Sequence, residues 1–210
     1  MNKLPFPSLS WQGLRPADSF PSALFRHPPT LETPRLVLRK ARVSDAGDVF
    51  SWSSDPEVAR YVLWSPHQSL SETRGQLRAL RSLYRRGLPS SLIIQARSSG
   101  RAVGTIGIMA YSPENRSAEV GYSLSRDCWN QGIMTEALAR VIRWMFEELN
   151  VNRIEGQFDL RNPASGRVME KCGMRREGIL RQRLFNKGEA VDVGLCAILK
   201  QDYLSPGNHF

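Results

Sequence analysis

Apolar positions along this chain change period several times, and the changes mark out its elements. From Leu31 onward, Leu36 and Leu38 alternate with Arg35, Val37 and Arg39, the two-residue period of a half-buried first strand. Ser44 and Asp45 then stand as caps before a helix through Val49, Phe50 and Trp52, and Asp55-Pro56 restarts the chain in a second short helical piece. Ser69 and Ser71 with Glu72 open a longer helix over Leu77, Leu80 and Tyr84, which Gly87-Leu88-Pro89 ends. Arg74, Arg78, Arg81 and Arg85 recur at helical spacing beside that apolar face.

Three strand-like runs follow, SLIIQAR, AVGTIGIMAY and AEVGYSL, joined by turn-forming segments as in an antiparallel meander. Leu138, Val141, Ile142, Met145 and Leu149 then recur at the period of a helix with one buried face, which stops near Asn150. A strand through Ile154, Gly156 and Phe158 comes next. Because a whole helix separates it from Val120–Leu124, a parallel crossover is the expected link. Asn162-Pro163 opens another helix, closed by Gly173, and two strands through Leu180–Phe185 and Val191–Leu199 finish the pattern. The order β-α-α-β-β-β-α-β-α-β-β predicts an α/β domain with a mixed sheet of about six to seven strands.

The segment before Leu31 behaves differently. Six prolines with little periodicity make residues 1–30 an expected extended arm, with Trp11, Phe20 and Phe25 as candidates to pin it to the domain or to a second copy in a homodimer. The domain itself runs over 31–203, leaving 204–210 as a tail.

Composition narrows the function classes. At 210 residues with 41% hydrophobic content, the chain is long enough to bury one core unaided. No apolar run approaches the roughly 18–20 residues that span a bilayer, so no membrane partner is expected. Cys128, Cys172 and Cys196 are odd in number and widely spaced, and His27, His67 and His209 are scattered. Neither a disulfide framework nor a metal site is expected, and a cytoplasmic location suits free thiols. A net charge of +9, carried mostly by arginine, points to an anionic partner: a nucleotide cofactor, an acidic peptide or an RNA-rich assembly.

The stretch WNQGIMTEA, Trp129 to Ala137, runs from polar residues through one glycine into the strongest helical pattern. A helix starting there leaves its first N–H groups unpaired, and Gly132 without a Cβ lets an anion approach the backbone. A plain turn reads the same residues equally well. The wider pattern resembles the pyrophosphate-binding motif of the GNAT superfamily of acyl-coenzyme A-dependent N-acetyltransferases, in its Rim-type (ribosomal-protein N-terminal acetyltransferase-like) form. Glu119-Val120-Gly121-Tyr122, Trp129, Gln131-Gly132 and Thr135-Glu136-Ala137 fall in place. So do Asn162, Ser165 and Glu170-Lys171-Cys172-Gly173-Met174, and the opening Leu31-x-Thr33-x-Arg35-Leu36-x-Leu38-Arg39.

The resemblance implies a sheet splayed at a central parallel pair, with helices on both faces and acetyl-coenzyme A lying between strands that end near Leu124 and Leu160. Backbone groups of Leu124, Ser125 and Arg126 would hold the pantetheine and those of Gln131, Gly132, Ile133, Met134 and Thr135 the pyrophosphate, with Asn162 bonding the arm. Glu119 is then the candidate general base, backbone N–H near Leu124 the oxyanion donor, and Ser165 the donor to the departing sulfur. No metal enters. Two departures stand out: Asn130 occupies a usual glycine position, and Met169 stands where many members have the tyrosine that protonates the thiolate.

Each assignment has a structural alternative. Glu119 also suits an ion pair across the sheet, Ser165 a helix cap and Trp129 plain packing. The arginine row suits a solvated face, unless the helix roofs the acceptor site as in the family, in which case it would repel polyamines. The expected acceptor is a protein N-terminal α-amine of the ribosomal-protein type, with ribosome association. A small amine (amino-acid-like, aminoglycoside or polyamine) is the second reading, and a non-catalytic acyl-coenzyme A sensor or RNA-associated module the third.

Overall fold

Pro34 decides how the sheet begins. In the computed structural model, which describes residues 22–205, the single strand expected from Leu31 through Arg39 is two: β1 (Leu31–Glu32) folds back antiparallel on β2 (Leu36–Arg39), pairing Leu31 with Leu38. Proline cannot continue a ladder, and the turn is closed by Thr33 N–H on Leu36 O (3.0 Å) and Leu36 N–H on Thr33 Oγ1 (2.9 Å). This raises the expected six to seven strands to an 8-stranded sheet.

Before it, α1 (Ser22–Arg26) buries Phe25 edge-on to Tyr111, with ring centroids 5.6 Å apart. Trp11 and Phe20 lie outside the described residues. After β2, Ser44 and Asp45 do not cap α2 (Ala46–Ser53); they lie in a preceding 3-10 turn, Val43–Asp45. The Asp45 carboxylate is taken by both terminal nitrogens of Arg39 (2.9 and 2.8 Å) and by Arg42 N–H (2.7 Å). That bidentate pair is why Arg39, expected on a polar face, is buried.

The caps of the next two helices act as their residue types predict. Asp55 accepts from Glu57 N–H to start α3 (Pro56–Ala59). Ser69 Oγ accepts from Glu72 N–H (3.2 Å) while the Glu72 carboxylate accepts from Gln68 N–H (2.7 Å), opening α4 (Leu70–Arg86), which Gly87 ends at φ 65°.

Strands β3 (Ser91–Ala96), β4 (Ala102–Ser112) and β5 (Ser117–Leu124) form the meander. Helix α5 (Ile133–Glu148) crosses to β6 (Arg153–Asp159), which pairs parallel with β5. Then come α6 (Pro163–Lys171), β7 (Arg175–Asn186), β8 (Glu189–Leu199) and α7 (Lys200–Leu204). The sheet order is β1-β2-β3-β4-β5-β6-β8-β7.

Two cores hold helices against it. Leu138, Val141, Ile142, Met145 and Leu149 of α5 and its C-cap are all buried with Val120, Ile154 and Met169, each contributing about 1.5–3 kcal/mol. Trp52, Leu77 and Tyr84 fill a second core with Ile93 and Ala102. The hydroxyl of Tyr84 donates to Ser91 O (2.6 Å) and accepts from Ala41 N–H (3.1 Å), and burial pushes its pKa up to about 12. Arg74, Arg78, Arg81 and Arg85 are all exposed, on a flank of α4 beside the buried Thr73, Leu77 and Tyr84. Among the described residues no helix is long and apolar enough to cross a membrane.

Candidate functional site

The parallel pair comes apart part-way along its length. Pairing between β5 and β6 runs from Ser117–Arg153 to Val120–Gly156 and stops, although β5 continues to Leu124 and β6 to Asp159. On the other side β5 stays bonded to β4 as far as Leu124 opposite Gly104. Ser125 N–H bonds Val103 O (2.7 Å), and the alternation of an antiparallel ladder therefore turns the N–H and C=O of Leu124 and Tyr122 away from β4, into the gap. The indole N–H of Trp129 takes Leu124 O (2.9 Å), so Trp129 ties the loop to the strand while its ring remains partly exposed. Leu124 N–H and the Tyr122 backbone pair are the polar groups this geometry turns toward the gap. Ser125 N–H is committed to β4, and the carbonyls of Ser125 and Arg126 accept from Cys128 and Trp129 N–H.

Beyond Leu124 the chain makes a 3-10 turn, Arg126–Cys128, and reaches α5 through two left-handed residues, Asn130 (φ 58°) and Gly132 (φ 73°). Asparagine is among the few side chains that adopt this region readily, which is how Asn130 serves in a usual glycine position. The Gln131 amide donates to Asp127 O (2.6 Å), bracing the turn from within. The first α5 bond runs from Glu136 N–H to Gly132 O, so the N–H groups of Ile133, Met134 and Thr135 precede the helical ladder at the positive end of the helix dipole.

Arg35 fixes this loop from outside. Its Nε donates to Glu136 Oε2 (2.5 Å), its backbone N–H to Glu136 Oε1 (3.0 Å) and its Nη1 to Gln131 O (2.9 Å). Burial pushes the Glu136 carboxyl up, but hydrogen bonds from Thr33 and Arg35 outweigh it and hold the pKa below the usual carboxylate range. The first-strand motif and the helix motif, about a hundred residues apart, thus meet in one contact.

Glu119 alternates with Ala118 and Val120 along β5 and therefore projects from the opposite sheet face to those buried side chains. Among the described residues it makes no hydrogen bond or ion pair. Burial, reinforced by Glu155 beside it on β6, raises its pKa, and Arg183 opposes the rise. On the same face the register of β4 shifts between Ile108 and Ala110, leaving Met109 as an extra residue. A Cβ on Gly121 would meet Met109 Cγ at 2.7 Å, so the glycine of Glu-Val-Gly-Tyr is what lets Met109 lie there.

At the other wall of the gap, the side chains of Asn162 and Ser165 leave the N-terminus of α6 uncapped. Asn162 makes no side-chain hydrogen bond among the described residues. The Ser165 hydroxyl donates to Tyr122 Oη (3.2 Å), and Tyr122 donates to Ser165 O (2.9 Å), joining β5 to α6 across the gap. Burial raises the Tyr122 pKa above the usual phenol range. Met169, in the place of the expected tyrosine, is buried against Gly156 and Val120. The partnership of Tyr122 with Ser165 had no sequence signal beyond the presence of both residues in their motifs.

The tip of the β7–β8 hairpin reaches the end of α3. Lys187 Nζ donates to the carbonyls of Ala59 and Val62 at the end of α3, the latter at 3.1 Å, and an open cleft of ≈ 230 Å³ between Arg60, Tyr61, Arg161 and Glu189 lies beside that contact. Within β7 the register shifts between Leu180 and Leu184, and Gln182 N–H is held by Asp192 Oδ1 (2.7 Å). Among the described residues no cluster of three or more His, Cys, Asp or Glu is gathered as a metal site requires.

A gap between parallel strands that leads to a glycine turn at a helix N-terminus offers a polar strand edge and an anion site in one line. Residues 35–175 match the family described as Acetyltransferase (GNAT) domain, and the chain belongs to that family of N-acetyltransferases. It is similar to an uncharacterized N-acetyltransferase, p20, of Bacillus licheniformis, with 33% identity over 83% of this chain and 98% of the relative. It is also similar to the ribosomal-protein-serine acetyltransferase of Escherichia coli, with 29% identity over 62% of this chain and 72% of that protein. Among solved structures, Mycobacterium smegmatis RimJ in complex with CoA-disulfide shares the fold at a TM-score of 0.76 and 24% identity, over 86% of this chain and 91% of that one.

Proposed function

We propose that the protein transfers the acetyl group of acetyl-coenzyme A to a protein N-terminal α-amine of the ribosomal-protein type, in the cytoplasm. The observation that carries the reading is the unpaired end of β5 beside the Gly132 turn, which offers a polar strand edge and an anion site in one line. Similarity to the Escherichia coli ribosomal-protein-serine acetyltransferase supports the acceptor class.

The site fits the cosubstrate. The outward N–H of Leu124 and backbone pair of Tyr122 suit the amides of the pantetheine arm, the free amide of Asn162 suits the same arm, and the N–H groups from Gln131 to Thr135 suit a pyrophosphate. Ser125 and Arg126 form the corner between these two parts. When bound, acetyl-coenzyme A supplies the activated acetyl group as a thioester.

The chain's own residues then have three tasks. Glu119, without a hydrogen-bond partner and with its pKa raised by burial, accepts the proton that the acceptor amine must lose and passes it to water. Leu124 N–H is the donor for the carbonyl oxygen as charge builds on it. The Ser165 hydroxyl leaves Tyr122 Oη and turns its single proton to the departing sulfur. Tyr122, which gives its own proton to Ser165 O, stays protonated, because a phenol raised by burial is a poor acid toward a thiolate whose conjugate acid sits at about 8.5. Water delivers the final proton, so amine and thioester yield amide and thiol. The acceptor amine approaches on the Glu119 face of the sheet, with Arg183 near the base.

The test is thiol release from acetyl-coenzyme A with peptides bearing free N-termini, the same peptides blocked at the N-terminus but carrying lysine, and small amines. Release with the free peptides alone is expected. Release only with small amines would sink the acceptor assignment, and release with no acceptor would sink the enzymatic reading for the groups tested.

A further inference from the structure

Many arginines of this molecule are held by carboxylates, as Arg35, Arg39, Arg153 and Arg161 are. Those of α4 are not. Arg74, Arg78, Arg81, Arg85 and Arg86 are exposed, and among the described residues none makes a hydrogen bond or an ion pair. The only acid of the helix, Glu72, is engaged at its N-terminus by Gln68 N–H. Arg74, Arg78, Arg81 and Arg85 follow one flank over about 16 Å at 1.5 Å per residue. Two further cations lie near the last turn of the helix. Lys40 Nζ lies 5.2 Å from the centroid of the Tyr84 ring and donates to the carbonyl of Arg26 (2.9 Å), whose own side chain is exposed.

We propose that this flank of α4, with Lys40 and Arg26 at its end, is a docking surface for the phosphate backbone of a nucleic-acid strand. A row of unpaired guanidiniums carries a repulsion that an anionic chain relieves, and guanidinium is the side chain best matched to phosphate oxygens. An acidic protein partner fits less well. Protein interfaces take their energy from buried aromatic and apolar anchors, and the exposed large apolar side chains, Phe185 and Leu63 among them, all lie on other elements. Contact through phosphates needs no such anchor. The strip uses none of the residues assigned to acetyl transfer, so it stands or falls separately from that reading.

Binding of a fluorescent, mixed-sequence single-stranded RNA to the full chain, followed by anisotropy over a range of salt, tests the proposal. Four phosphate contacts give a log–log salt slope of about −3, from about −0.7 per contact. Arg78→Glu with Arg81→Glu should weaken binding at least about tenfold at low salt and reduce the slope to about −1.5 or shallower. Acetyl-coenzyme A affinity of that variant should equal the parent's, which certifies the fold; Arg78→Gln with Arg81→Gln serves if the reversal unfolds. The matched reversal Arg143→Glu with Arg175→Glu, elsewhere on the surface, should leave RNA affinity within about threefold. The proposal is overturned if the parent does not bind RNA, if both reversals weaken binding equally, or if poly-glutamate binds as tightly as RNA does.

Discussion

Replacing Glu119 with Gln removes the proposed base and keeps its shape. The side chain is half-buried, has no hydrogen-bond partner to lose and lies on the sheet face away from the Gly132 turn, so fold and acetyl-coenzyme A affinity should be preserved. The size of the effect depends on the acceptor. A protein α-amine has a pKa of about 8, so about one molecule in ten is already neutral at pH 7, whereas for a lysine-type amine at about 10.4 the fraction is about one in two thousand. Without a base only the neutral fraction reacts. Glu119→Gln should therefore lower kcat/KM about tenfold at pH 7 on an α-amine, and the deficit should close as pH rises past 8. Steady-state thiol release between pH 6 and 9 reads this directly. A deficit near a thousandfold at pH 7 would indicate a more basic amine, and equal rates for parent and variant at every pH would remove Glu119 from the chemistry. Arg183 opposes the rise in the Glu119 pKa, so Arg183→Ala should move the acidic limb of the parent profile to higher pH.

Two further substitutions probe the loop. Gly132→Val forces a β-branched side chain into φ 73°, a left-handed conformation that costs an L-residue about 1–2 kcal/mol; a Cβ there meets nothing nearer than Arg35 Nη2 at 3.5 Å. Calorimetry should show acetyl-coenzyme A binding weakened at least about tenfold, as 1.4 kcal/mol is a factor of ten, and normal affinity in a folded variant would refute the phosphate-turn assignment. Arg35→Ala removes a half-exposed ion pair and the bond to Gln131 O, together about 1 kcal/mol, or about 2–4 °C in Tm for a chain of this size. Because the folded Glu136 pKa is lowered, its stabilisation is present above the ordinary carboxylate range and is lost as pH falls through the folded value. The Tm difference between parent and Arg35→Ala should accordingly be full at pH 6 and shrink in acid; a pH-independent difference would show that the ion pair contributes nothing.

Local signals carried much of the architecture into the sequence. Ser69 with Glu72, and Gly87 beyond Arg86, act through neighbours within one helical turn, so residue type alone marks both ends of α4. The buried stripe of α5 was legible for the same reason, and so was the crossover to β6. Asp45 shows the limit: it has the composition of a helix cap, but Arg39 competes for it, and the winner depends on a strand laid beside it. The apolar alternation on either side of Thr33-Pro34 read as one strand, whereas the missing N–H of Pro34 divides it in two.

The candidate site was legible as motifs and not as contacts. Arg35 with Glu136, and Tyr122 with Ser165, are pairs between distant segments, and no periodicity records which side chain meets which. The same holds for the α4 arginines. Their spacing was plain, but that they face solvent without counter-ions follows from where Leu77 and Tyr84 dock.

The central claim is that the opened end of β5 and the turn at α5 together form the acetyl-coenzyme A site. Amide hydrogen exchange of the parent protein with and without coenzyme A tests it at the residues concerned. Protection should appear at Leu124 and from Gln131 to Thr135, with β1 and the outer flank of α4 unchanged. Saturating coenzyme A that leaves those amides as they were, or protects a different surface, would contradict the account.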